Sequence, residues 1–181
     1  MGTQDVVFQT KDSAQNFNQI EILEDGALKT GLGTAAPATY NSWTPVMTRA
    51  GGSGTAVFTM ATNGQVGRYF RIGNIVWINA HIIIDSVASA QSDDTVTVTG
   101  LPIAASDDTN YKQGLTCTGL SNVNGPTDMN LQAYVIPTST SAIQLTYSAD
   151  DGNEVVAASD NFDKGSPDAA FMISGFYFTD A

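Results

Sequence analysis

One twelve-residue stretch constrains this chain more than any other. Residues 74–85 read Asn-Ile-Val-Trp-Ile-Asn-Ala-His-Ile-Ile-Ile-Asp, and the even positions Val76, Ile78, Ala80, Ile82 and Ile84 are all apolar. Alternation with a period of two makes a strand that turns one face to a core. The odd positions, Ile75, Trp77, Asn79, His81 and Ile83, mix large apolar with polar groups. A solvent face does not carry Ile75, Trp77 and Ile83 together, so the second face is expected to be covered too.

The rest of the chain from Trp43 onward follows the same logic. Segments 55–61 and 67–72 flank Asn63-Gly64, a turn signal that predicts a hairpin or near-hairpin. Residues 95–100 place Val96 and Val98 inward and the threonines outward. Segments 131–136, ended by Pro137, and 143–147 repeat the alternation, with Ile143, Leu145 and Tyr147 on one face and Gln144 and Thr146 on the other. Residues 169–179 form a long apolar strand, with Phe171, Ile173 and Tyr177 on one side and Met172, Phe176 and Phe178 on the other. Composition agrees: 47 Ser, Thr and Asn residues and 17 Gly suit pleats and turns and exclude a helical bundle. The expectation is an all-β, antiparallel β-sandwich, jelly-roll-like, of about eight strands over residues 43–181. Two strands apolar on both faces exceed what a two-layer domain buries internally. The second face must then meet a partner, the N-terminal arm or a loop; self-association is the economical answer, with Ile75, Trp77, His81 and Ile83 as the candidate subunit interface.

Residues 1–42 differ in character and are expected to be an extended N-terminal arm and linker. Val6, Val7 and Phe8 suit a short strand, while 16–23 fits either a short helix capped by Asp12 and Ser13 or a hairpin around Asp25-Gly26. The small residues of 30–41 read as a linker, and 1–29 as an arm stabilised by a neighbour, the alternative being an arm packed back on its own domain.

Charge narrows the partners. Residues 1–71 hold five basic and five acidic groups, whereas 72–181 hold two basic groups, Lys112 and Lys164, against 13 acidic ones, giving a net charge of −11. Such a surface repels phosphate backbones and anionic lipids, so neither nucleic acid nor membrane is an expected partner. The N-terminus lacks the basic and apolar segments of a signal peptide, which points to synthesis in the cytoplasm.

Chemistry is sparse. The single His81 lies mid-strand with no Ser or Cys motif aimed at it, and the single Cys117 reads as a small buried hydrophobe. No Cys/His cluster suits zinc, and no catalytic residue, cofactor or metal is assigned. Aspartate pairs recur at 93–94, 107–108 and 150–151; segments 150–154 and 160–165 are the best calcium candidates, although a solvated turn is the plainer reading. Gly51-Gly52-Ser53-Gly54 lacks the Lys and helix of a phosphate cradle. An enzyme is not expected.

Four short pieces, in order, carry a resemblance: Trp43-Thr44-Pro45; Gly67-Arg68-Tyr69-Phe70-Arg71-Ile72-Gly73 running on to Val76; Gly100-Leu101-Pro102; and Ser174-Gly175-Phe176-Tyr177-Phe178-Thr179. Over residues 43–179 the chain resembles β-sandwich modules of virion surface proteins in tailed bacteriophages. The resemblance implies a non-enzymatic structural protein, a homotrimer, exposed on the virion after synthesis in the host. Tail fibres are long, and this chain has only some forty residues before Trp43. That brevity favours a capsid decoration, cement or short head-fibre protein whose arm grips the capsid through Phe8, Phe17, Ile20, Ile22 and Leu23. The alternatives are a tail adhesin recognising a host surface glycan or protein, and a lectin-like carbohydrate-binding module.

Overall fold

The computed structural model describes residues 6–11, 17–22, 28–31, 41–52, 55–108, 112–126, 130–136, 141–148, 154–163 and 168–180. Its strand pairs are antiparallel, and it divides into two compact units, Met1–Tyr40 and Asn41–Ala181.

In the first unit, β1 (Val6–Lys11), β2 (Phe17–Ile22) and β3 (Leu28–Gly31) form a meander. The segment for which a helix and a hairpin were both open is therefore a strand. Register puts Val6, Ile22 and Leu28 in one row and Phe8, Ile20 and Thr30 in the next but one. Residues of alternate rows share a face, so one face of this small sheet is a block of apolar positions. The other face takes Val7, Glu21 and Lys29, then Gln9 and Gln19. The linker expected at 30–41 overlaps strands at both ends; residues 32–40 lie outside the described residues.

The second unit contains β4 (Asn41–Trp43), β5 (Val46–Gly51), β6 (Val57–Ile72), β7 (Ile75–Ala88), β8 (Thr95–Thr99), β9 (Gln113–Ser121), β10 (Asn130–Val135), β11 (Ala142–Ser148), β12 (Glu154–Val156) and β13 (Ala169–Phe178). They make one ten-stranded sheet in the order β4-β6-β7-β13-β9-β10-β11-β8-β5, with β12 beside β11. The sheet curls into a half-barrel because two stretches of chain change partners. The N-terminal half of β9 pairs with β10 and its C-terminal half with β13. Likewise β4 pairs with β6, and β5, two residues later, pairs with β8 at the far edge. Thr44-Pro45 forms that corner; proline has no N–H to offer a ladder, and the Pro45 carbonyl accepts from Gln65 Nε2 at 2.9 Å.

Two expectations need correction. Asn63-Gly64 does not close a hairpin. Residues 57–72 are one long strand in which the register jumps between Met60 opposite Ile84 and Gln65 opposite Ile82, an enlarged bulge that sets residues 61–64 against Ile83. Gly64 is required there because a Cβ would stand 2.4 Å from the Ile83 carbonyl oxygen. The hairpin falls instead at Gly73-Asn74, where Gly73 takes φ +57° in a two-residue loop. The count of about eight strands also falls short, since β4, β5 and β12 are too short or too irregular to show a period.

The core lies inside the curl. Val76, Ile78, Ala80, Ile82 and Ile84 are buried, as their even spacing requires, and meet Phe171, Ile173 and Tyr177 of β13 and Ile143, Leu145 and Tyr147 of β11. Each of the buried Val, Ile, Leu and Phe side chains contributes about 1.5–3 kcal/mol on burial. Thr97, Gln144 and Thr146, expected on outward faces, are buried as well.

Candidate interaction surface

The outer face of the β6-β7-β13-β9 half is built by register. Phe70 opposes Trp77, and Trp77 opposes Phe176. On one side of this row stand Ile72, Ile75 and Phe178; on the other, Arg68, Asn79, Ser174 and Thr116, then Val66, His81, Met172 and Thr118. None of these rows contains a carboxylate. Parallel strands of side chains at the ordinary spacing bring the rings together: Phe70 and Trp77 stack nearly parallel at 5.9 Å, Trp77 meets Phe176 at 5.1 Å, and Phe176 meets Phe178 edge-on at 5.8 Å.

These rings contact one another and water. Trp77 is 41% exposed, Phe176 42%, Phe178 38% and Met172 36%. Among the described residues of unit Asn41–Ala181 nothing covers this second face of β7 and β13, whereas the sequence pattern called for a cover. Of the four residues assigned to a subunit interface, Trp77 and His81 are exposed and Ile75 and Ile83 half-buried, all on this face. The pattern missed Phe70, because Tyr69 and Phe70 are adjacent aromatics and blur the alternation; Tyr69 packs on the core.

The other half is dressed differently. Thr48, Thr97, Gln144 and Tyr134 form its corresponding row. The Thr48 and Thr97 hydroxyls lie 3.0 Å apart, and Gln144 Nε2 donates to the carbonyls of Val96 and Leu145 at 3.0 and 3.1 Å. Lys112 lies 4.2 Å from the Tyr134 ring centroid and pairs with Glu154 at 3.0 Å, a contact that raises its pKa. The half whose outer side is hydrogen-bonded and the half whose outer side is aromatic are one continuous sheet.

In the first unit, register brings Phe8, Ile20 and Ile22 to the apolar face, whereas Phe17 opposes Lys11 and belongs to the other face. Leu23 lies outside the described residues.

The four motif pieces meet as structural joints. Trp43 lies over Gly67, where a Cβ would come within 2.4 Å of its indole nitrogen. Gly100, at φ +84°, passes the Thr44 carbonyl oxygen, and Tyr177 donates its hydroxyl proton to the Ile103 carbonyl at 2.7 Å. The Phe178 carbonyl accepts from Ser106 N at 2.8 Å, and Thr179 N donates to the Asn74 carbonyl at 2.9 Å. These contacts join strands to the segments that connect them.

The aspartates divide. Asp94 is buried and accepts from Arg49 Nε at 2.6 Å and from the Ser159 hydroxyl at 2.7 Å, a structural clasp between β5 and the 3-10 turn Ser159–Phe162. Asp180 accepts from Asp107 N at 3.1 Å. In the 160–165 segment, the Asn161 amide caps Ala158 N and donates to the Asn124 carbonyl. The 150–151 pair lies outside the described residues, and among those described no three His, Cys, Asp or Glu side chains converge. Burial pushes the Cys117 thiol up to about 12, which suits packing against the core and not nucleophilic work.

Comparison with known protein families, characterised proteins and solved structures returns no match.

Proposed function

We propose that this chain is a non-enzymatic structural protein of a tailed-bacteriophage virion surface, a capsid decoration, cement or short head-fibre protein. Unit Met1–Tyr40 attaches it to the capsid and unit Asn41–Ala181 is displayed outward. In this reading the two limbs of the curled sheet are a jelly-roll-like sandwich joined at its corners, and chains assemble as homotrimers after synthesis in the host cytoplasm.

The observation that carries the reading is the β1–β3 sheet. It is a single layer with Val6, Phe8, Ile20, Ile22 and Leu28 at positions of one face, so its own strands cannot cover that face. A cement segment needs this form, since it buries apolar side chains against a surface supplied by another protein. The motif order from Trp43 to Thr179 supplies the phage setting.

The test is co-sedimentation of the full chain with heads of the phage whose genome encodes it. The unaltered chain and Val7→Asp should sediment with the heads, and Ile20→Asp should stay in the supernatant. Equal binding by Ile20→Asp, or none by the unaltered chain, defeats the reading.

A further inference from the structure

We infer that the outer face centred on Trp77 and Phe176 is the surface on which a second copy of this chain docks. The inference deepens the assembly just proposed and rests on that reading only for its biological setting.

Three features identify the occupant. The first is charge. Each chain carries −11, so two copies repel wherever acidic surfaces approach. The four rows of this face hold no carboxylate, and Arg68 is exposed within them. Asp85 and Asp180 stand at its two ends, where they stay in water. A second strongly acidic copy can approach here because the rows bring no carboxylates together, whereas the acidic remainder of the surface repels it.

The second is area. Four strands about 4.8 Å apart and seven residues rising about 3.4 Å each mark out roughly 14 by 20 Å. That suits the dehydrated centre of an interface burying about 800 Å² per partner, with Thr116, Thr118, Asn79 and Ser174 as polar elements within and around it.

The third is ring geometry. Phe70, Trp77, Phe176 and Phe178 brace one another on adjacent strands, so their exposed parts are rigid and lose little side-chain entropy on docking. Large aromatics held in this way are the side chains that dominate protein–protein contacts. Among the described residues, Val66, Ile72, Trp77, Met172, Phe176 and Phe178 are the exposed large apolar groups gathered here.

Light scattering on a sizing column, from micromolar to hundreds of micromolar chain, tests the proposal. The full chain should give a mass of two or more times 19.0 kDa at the higher concentrations. Trp77→Thr combined with Phe176→Thr should raise the dissociation constant about 100-fold or more, with an unchanged far-ultraviolet spectrum. Val155→Thr, on the exposed β12, should leave it unaltered. A mass of 19.0 kDa throughout for the unaltered chain, or multimers persisting in the folded double variant, overturns the proposal. Should the double variant fail to fold, iodide quenching of the unaltered chain decides. Trp43 is buried, so Trp77 reports the face. Quenching that falls as multimers form supports docking there, and quenching that stays constant in a multimer overturns it. Multimers that ignore phage heads remove the virion reading alone; a monomer that binds heads removes this inference alone.

Discussion

The indole of Trp77 and the ring of Phe70 lie nearly parallel, 5.9 Å apart, on the open side of the β6–β7 pair. Both are partly in water, so the pair contributes as a cross-strand contact and not as core. Trp77→Thr is expected to cost about 0.5–1.5 kcal/mol in the dilute chain. Phe171→Ala, which empties a fully buried site on the neighbouring strand, is expected to cost about 3–5 kcal/mol. Denaturant titrations at low micromolar concentration compare the two; similar costs would mean that Trp77 is part of the monomer core.

Association through a face free of carboxylates has a salt signature. Between chains of net −11, added sodium chloride screens repulsion while leaving apolar burial intact. The dissociation constant is therefore expected to fall as salt rises from 50 to about 500 mM, as sedimentation measurements would reveal. Dissociation by salt would instead point to a contact made by ion pairs.

Trp43 and Gly67 form the joint between the first strand of the unit and its longest one. A methyl at position 67 meets the indole at 2.4 Å, so Gly67→Ala forces the tryptophan or the edge strand to move. The expected cost is about 1–3 kcal/mol, read as a lower melting temperature together with a change in Trp43 emission. An unshifted melting curve would show that the edge strand yields without penalty.

Asp94 has no exposed side-chain surface, while its partner Arg49 is partly in water. Arg49→Met should cost about 3–5 kcal/mol because it leaves a buried carboxylate with its main countercharge gone. Adding Asp94→Leu to Arg49→Met should recover much of that loss. A double-mutant cycle followed by urea unfolding measures both, and additive losses would contradict the clasp.

Alkaline pH should unfold the chain early. Folding raises the Cys117 thiol from 9.0 to about 12 and the Tyr177 hydroxyl from 10.0 to about 12, both chiefly by burial. Above pH 9 the unfolded chain releases the Cys117 proton and the folded chain keeps it, so stability falls as pH rises. The loss approaches about 1.4 kcal/mol per pH unit for each titrating group until pH 12. Cys117→Ala should remove the part of the slope that begins at pH 9; an unchanged slope in that variant would place the loss elsewhere.

The core face of this protein was legible in the spacing of its residues. Val76 to Ile84, Phe171 to Tyr177 and Ile143 to Tyr147 each repeat every two positions, and burial follows because a pleated strand offers no other way to gather those side chains. Asn63-Gly64 shows the limit of local signals. The dipeptide suits a turn, yet pairing along the whole of β7 outweighs one loop, so the residues are absorbed as a bulge. Phe70 shows another, since two adjacent aromatics do not say which of them faces inward.

By itself, then, the sequence determined the class, the inner face and the presence of more apolar surface than one layer could hide, because these depend on period and composition. Only the tertiary structure decided which rows stand side by side. The hairpin at Gly73-Asn74 sets Phe70 beside Trp77 locally, but Trp77 meets Phe176, and Asp94 reaches Arg49, through pairings that join residues far apart in the chain. The corners at Thr44-Pro45 and within β9 also belong to that level. A strand's change of partner is set by what the whole curled sheet can pair and bury, and no local period records it.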